Sequence, residues 1–357
     1  MFAGISPVSI VYYNMIHINK LIALLSGLIL ITACQEKRQQ VAQKEENTPV
    51  LTVKPPEFNA DSAYRFIEKQ VNFGPRVPNT TAHRQAGDYL VTTLKNYGAE
   101  ITVQDFVAEA YTGAKLQSRN IVASFYPQQT KRILLAAHWD SRHMADKDSI
   151  NPTQPIDGAN DGGSGVGVLL EIARILQQDS AGPGVGVDII FFDSEDYGEP
   201  ENLKQGDYPN RKPNQIYWCL GSQYWAKNKH KPNYTAYFGI LLDMVGAKNA
   251  RFAKEGHSLE YAASVVQRVW DIGQALGYGG FFINQNTGGI TDDHYFVNRD
   301  ARIPMIDIIE YEPAGRDEFG SYHHTHRDNM QVIDKSTLKA VGQTVLQAVY
   351  EEGKPAV

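Results

Sequence analysis

Val187-Asp188-Ile189-Ile190-Phe191-Phe192-Asp193-Ser194-Glu195-Asp196 reads as an apolar run that stops abruptly in three carboxylates. A strand buried on both faces has this near-continuous apolar character. In open α/β sheets, ligands bind beyond the carboxyl ends of such strands. Acids at that point face a crevice, where neighbouring carboxylates repel and shift one another's pKa. One can hold a metal ion while its neighbour moves protons. A strand followed by a solvated acidic turn gives the same letters, so the decision falls to the rest of the chain.

Working outward, apolar or alternating runs recur at 101–106, 120–125, 133–137, 237–242 and 303–309. Helical spacing appears at 60–70, 81–97, 165–177, 222–227, 259–276 and 336–351. Strands alternating with helices predict an α/β fold: one globular domain around a central twisted sheet, mostly parallel but mixed, with helices on both faces. Between the first two helices lies Asn72-Phe73-Gly74-Pro75-Arg76-Val77-Pro78, stiffened by Gly and Pro. Residues 197–217 have no periodicity, and so long a loop inside a compact domain is usually functional.

Four of the runs end in groups able to bind a metal. Residues 133–137 lead into His138-Trp139-Asp140-Ser141, and 187–192 into Asp193-Ser194-Glu195-Asp196. Residues 237–242 lead into Asp243, and 303–309 into Glu310, with Tyr322-His323-His324-Thr325-His326 soon after. A fifth group, Gly158-Ala159-Asn160-Asp161-Gly162, precedes a helix, where glycines permit a tight approach to a ligand. A phosphate cradle is the competing reading of that loop, and Asp161 opposes it by charge. Histidine nitrogen with carboxylate oxygens suits catalytic zinc, whereas calcium and magnesium favour all-oxygen sites.

Composition narrows the function classes. With 42% hydrophobic and 21% charged residues the chain is ordinary globular protein. A formal net charge of −6 argues against nucleic acid as a partner, because phosphate binding needs a basic face. At the N-terminus, Lys20, an apolar run at 21–31 and Thr32-Ala33-Cys34 describe an export signal over 1–34. Ile31-Thr32-Ala33-Cys34 looks like a bacterial lipobox, with Cys34 lipidated. Met15 offers an alternative start. A polar, disordered tether is expected over 35–55 and the catalytic domain over 56–357. Cys219 is the only other cysteine, so no intrachain disulfide forms without Cys34. The expected location is the outer membrane, facing the periplasm and held by the lipid.

His138-x-Asp140-Ser141, Gly158-Ala159-Asn160-Asp161-Gly162, Phe192-Asp193-Ser194-Glu195-Asp196, Leu242-Asp243 and His324-Thr325 resemble, in order, the motifs of the zinc aminopeptidase superfamily, which includes glutaminyl cyclases. The resemblance runs from about Gly74 to the C-terminus. Thr291-Asp292-Asp293-His294, the preceding Gly288-Gly289-Ile290 and the long 197–217 segment before Trp218 are more similar to the cyclase branch. That resemblance implies Asp161, Asp196 and His324 as ligands of one zinc per chain and Glu195 as general acid/base. It makes Asp243 and Asp292 the carboxylates completing the catalytic hydrogen-bond network. His138 matches a peptidase ligand for a second metal, kept but unfilled in cyclases.

Two residues depart from the pattern. Asp196 stands where the family usually has Glu, one methylene longer. His323 stands where cyclases often have Trp, leaving Trp218, Trp225 or Trp139 as candidates for the pocket wall. The implied reaction converts the N-terminal glutamine of a peptide or protein to pyroglutamate. A two-metal aminopeptidase using His138, Asp161, Asp196, Asp243 and His324 is the first rival, and a non-catalytic binding domain the second.

Overall fold

The computed structural model describes residues 51–353 except 201, 202, 205, 206, 210 and 313–317. The export signal, Cys34 and the tether up to residue 50 lie outside the described residues. Residues 51–53, expected in the tether, belong to the folded body. Thr52 and Val53 donate backbone N–H bonds to Glu351 Oε1 at 2.9 and 3.1 Å, and Leu51 and Val53 pack on the core.

The strands, in chain order, are β1 (Glu100–Glu109), β2 (Lys115–Phe125), β3 (Arg132–His138), β4 (Gly186–Phe192), β5 (Phe238–Asp243), β6 (Phe252–Lys254), β7 (Phe282–Asn286) and β8 (Met305–Ile309). Six make the main sheet, ordered β1-β2-β4-β3-β5-β8, and β6 pairs with β7 in a small second one. β4, β3, β5 and β8 run parallel, while β1 and β2 are antiparallel additions at one edge. The sheet is thus mixed, as expected.

The helices are α1 (Ala60–Val71), α2 (Thr81–Asn96), α3 (Gly163–Gln178), α4 (Leu220–Lys227), α5 (Gly256–Ala275), α6 (Asp293–Phe296) and α7 (Lys335–Glu352), with a π-helical turn, Val297–Ala301, after α6. Side-chain oxygens of Asn59 and Thr80 cap α1 and α2 by accepting the N–H of Ser62 and His83. Alternate residues of a strand point to opposite faces. Ile133, Leu135 and Ala137 of β3 enter a large core with α1, α2, α3, α5 and α7, while Leu134 and Ala136 enter a second core with α4 and the π turn. Both faces are buried, which is why the sequence shows continuous runs rather than alternation.

The chain leaves β3 through α3 on one face of the sheet and leaves the adjacent β4 through α4 on the other. Connections that part to opposite faces open a crevice beyond the carboxyl ends of those two strands. Gly165 lets α3 lie against β5 there, since a Cβ would come within 2.2 Å of Leu242 O.

Candidate active site

Three of the four parallel strands deliver a polar group to that crevice. His138 is the last residue of β3, Asp193 to Asp196 follow β4, and Asp243 ends β5. Asp161 sits in the loop before α3. Gly162 permits that loop with φ at 76°, and a Cβ there would meet His138 Cε1 and Asp140 O at 2.8 Å. Asp292 caps α6, and His324 lies in the loop between β8 and α7.

His138 Nε2 lies 3.0 Å from Asp161 Oδ1 and 3.2 Å from Asp243 Oδ1. His324 Nε2 lies 3.3 Å from Asp196 Oδ1 and 3.8 Å from Asp161 Oδ2. The structure therefore gathers Asp161, Asp196 and His324 around one point, with His138 and Asp243 on the far side of Asp161. Glu195 stands beside them, half-buried, its Oε1 accepting from the Cys219 thiol at 3.0 Å. Ligand atoms of Glu195, Cys219 and Asp292 fall within 4.8 Å of one another, so Asp292 also joins the site.

Two buried carboxylates set this geometry from behind. Asp140 accepts the backbone N–H of Glu195 at 3.0 Å and of Asp196 at 3.1 Å. Asp328 does the same for Asn160 and Asp161, at 2.7 and 3.0 Å. Asp193 is tied up in the structure, with its carboxylate 2.9 Å from His83 Nε2 and taking Arg119 N–H at 2.7 Å. Arg142, fully buried, donates to the carbonyls of Asp196, Gly198 and Glu199 and pairs with Asp146. Ser194, Cys219, Met244 and His324 all have left-handed φ between 48° and 56°. Such strain in non-glycine residues gathers at functional sites.

Packing these acids together changes their proton affinities. Burial pushes Glu195 well above the ordinary glutamate range, and Asp292, Asp196 and Asp293 add to that against the pull of His138. Burial raises Asp243 to about 7, with His138 opposing. Burial and the Asp161 charge raise Asp196 well above its usual value. Burial alone would lower His138, but hydrogen bonding to Asp140, Asp161 and Asp243 carries it well above its ordinary value.

The site opens on a cavity of about 270 Å³. Its walls include Trp218, Ile290, Ile309, Phe319 and His323. Trp218 and His323 thus stand where the sequence suggested, but Trp139 and Trp225 do not. Trp139 is fully buried, stacked on His83 at 4.3 Å with its indole N–H on Arg119 O. Trp225 is buried in the second core. Their apolar neighbours outweigh any role at the crevice, and Phe319 was the aromatic missed. Glu310 accepts from Tyr322 Oη at 2.5 Å, and His326 pairs with Asp148 at 3.1 Å, so neither joins the site. Asp140, Cys219, Arg142 and Asp328 were also missed as site builders. Only Asp140 carried a signal, by its place two residues after His138.

The donor set fits zinc. Both oxygens of Asp196 are buried without a hydrogen-bond partner, and Asp161 carboxylate and His324 imidazole face the same point. Two carboxylates and an imidazole leave room for a substrate atom in a tetrahedral site. A second compact trio, His138, Asp161 and Asp243, has ligand atoms within 4.8 Å of one another.

Known proteins are similar to this chain in sequence and fold. The Zn-dependent exopeptidase of Parabacteroides distasonis is 55% identical, covering 83% of this chain and 99% of that one at a TM-score of 0.79. Tannerella forsythia glutaminyl cyclase is 54% identical over 83% of this chain and 99% of that one, at a TM-score of 0.78. Among curated proteins, the glutaminyl-peptide cyclotransferase of Drosophila melanogaster is 26% identical over 285 residues, 74% of this chain and 73% of its own. The model of peptidase family M28 matches residues 120–349, a stretch that spans β2 through α7 and holds every ligand described above; the chain belongs to that family.

Proposed function

We propose that the protein is a zinc-dependent glutaminyl-peptide cyclotransferase, with one zinc per chain held by Asp161, Asp196 and His324. The observation that carries this reading is the position of Glu195. It is a half-buried carboxylate with raised proton affinity, at the edge of a small apolar-walled cavity and beside the ligand trio. Cyclisation is an intramolecular aminolysis. The α-amine nitrogen bonds to the side-chain carbonyl carbon, the bond from that carbon to the amide nitrogen breaks, and ammonia leaves. Zinc supplies Lewis-acid polarisation of that carbonyl. Glu195 takes a proton from the amine and returns it to the departing nitrogen, a task suited to a carboxylate with raised pKa. The apolar walls fold the glutamine side chain back on its own amine and keep out water, which would otherwise compete.

His138, Asp161 and Asp243 lie close enough to support the second reading, a two-metal aminopeptidase. One incubation with a peptide beginning in glutamine separates the two. Ammonia release with the chain otherwise intact supports the cyclase, and free glutamine with two metals per chain supports the peptidase. Glu195→Gln is expected to keep its zinc and lose turnover by about 100-fold or more. A near-normal rate would remove Glu195 from the mechanism. The 21–31 run and the lipobox support, as part of the same proposal, a protein exported and anchored through Cys34 to the periplasmic side of the outer membrane.

A further inference from the structure

Two histidines stand side by side at the cavity, His323 and His324, with ring centroids 3.7 Å apart. By type either is a candidate ligand, and one atom from each lies within 4.8 Å of the other and of an Asp161 oxygen. What stands behind each ring separates them. His324 Nδ1 is buried and faces Asp146 Oδ1 at 3.6 Å, beyond hydrogen-bond reach. The negative charge on that side favours the ring proton on Nδ1 and leaves the Nε2 lone pair for a metal. Behind His323 stands a cation, with Lys147 Nζ 2.9 Å from Nδ1. An ammonium has three donors and no acceptor, so Nδ1 accepts and the proton of the neutral ring sits on Nε2. A protonated Nε2 has no lone pair to offer. Asp146 and Lys147 are consecutive, and Lys147 N–H also bonds His324 O at 3.2 Å, so one short segment sets both tautomers.

The His323 ring is fixed on its other side by Phe319, at 4.8 Å between centroids. Its Nε2 lies 3.9 Å from Asp161 Oδ2, and His324 Nε2 lies 3.8 Å from that same oxygen. Ligand and donor therefore flank one point. We propose that His323 does not bind zinc but donates a hydrogen bond from Nε2 to the oxygen of the scissile carboxamide. This rests on the cyclase reading for the identity of that oxygen. Such a fixed donor meets negative charge as it develops, at no cost in reorganisation.

The test compares zinc-loaded wild type with His323→Ala, His323→Gln and Lys147→Met. The readouts are zinc retention against a chelator, kcat and KM for a peptide beginning in glutamine, and the side-chain nitrogen spectrum of histidine-labelled protein. The wild-type spectrum is expected to show His323 protonated at Nε2 and bare at Nδ1. His323→Ala is expected to retain zinc and lose about 100-fold in kcat with little change in KM. His323→Gln, whose amide can donate, recovers part of that loss, and Lys147→Met lowers kcat without releasing zinc. Loss of zinc from His323→Ala would make His323 a ligand and overturn the proposal. So would an unchanged kcat, or a spectrum with the proton on Nδ1. If wild type releases no ammonia, the cyclase reading fails by itself, and zinc retention with the spectrum still decides whether His323 is donor or ligand.

Discussion

Asp140→Asn probes how the site is held, because it keeps the shape of a fully buried side chain and changes one acceptor into a donor. Asp140 now accepts two consecutive N–H groups, from Glu195 at 3.0 Å and Asp196 at 3.1 Å. The amide can accept only one, and its NH2 would confront the other N–H. A hydrogen bond to a charged group contributes about 1.5–3 kcal/mol, and leaving a buried donor unmet costs about 1–3 kcal/mol more. The lost contact therefore amounts to roughly 2.5–6 kcal/mol, enough to displace Glu195 or Asp196 rather than be absorbed. A displacement near 1 Å costs on the order of 100-fold in rate, or about 2.7 kcal/mol of barrier. Zinc affinity responds less. Asp140 also raises the pKa of Asp196, so neutralising it eases ionisation of that ligand and offsets part of the damage. The assay pairs ammonia release under saturating zinc with a chelator titration and urea unfolding of the metal-free protein. The expected pattern is kcat down about 100-fold, zinc Kd within about tenfold, and a lowered unfolding midpoint. Wild-type kcat in a folded Asp140→Asn variant would refute the clamp.

Other consequences are equally open to measurement. Trp218→Ala removes a ring that lines the cavity, stacks on His324 at 5.8 Å and sits 4.5 Å from the Arg142 guanidinium. Losing about 1 kcal/mol or more of aromatic contact should raise KM roughly tenfold with kcat little changed, and the reverse split would move Trp218 from binding to chemistry. Burial lowers His143 and His230 to about 4. Their contribution to stability is fully present above the unfolded value near 6.5 and is lost as pH falls from there towards 4. His230→Asn keeps an acceptor for Trp225 Nε1 but cannot titrate, so its urea midpoint should fall less between about pH 7 and 4 than that of wild type; equal falls would discount His230. Cys34→Ser should release the protein from membranes into the soluble fraction of cells, and unchanged fractionation would remove the lipid anchor.

The sequence exposed those parts of the molecule whose physics is local. Each of the six runs expected as strands is a strand of the main sheet: burial on both faces gives the inner strands a long apolar signature, while the half-exposed edge strand β1 mixes apolar with polar residues. β6, β7 and α6 left no such mark: β6 and α6 are too short for a period to develop, and β7 is largely polar over Asn284-Gln285-Asn286. Among site residues, Asp161, Glu195, Asp196, Asp243 and His138 were legible from their strand ends and spacing. Asp292 needed the family resemblance, which also singled out His324 from the neighbouring histidines. What stayed hidden depends on contacts between distant segments. Nothing in the letters around Arg142 announces a buried cation that gathers three carbonyls, and nothing around Asp328 says that it supports Asp161 from 167 residues away. Trp139 and Trp225 erred in the other direction, since an aromatic near a motif reads alike whether it faces a cavity or a core.

The feet of the 197–217 loop are pinned independently of its tip. Arg142 grips the carbonyls where the loop departs, and where it returns the N–H groups of Cys219 and Leu220 bond to the carbonyls of Glu195 and Ser194 at 2.9 and 3.0 Å. Evolution can therefore treat the span between as an exchangeable cassette. Insertions, deletions or wholesale replacement within it would leave the catalytic carboxylates in register. Relatives with the same chemistry are expected to diverge there first, and an engineer has a bounded segment to alter without moving the site.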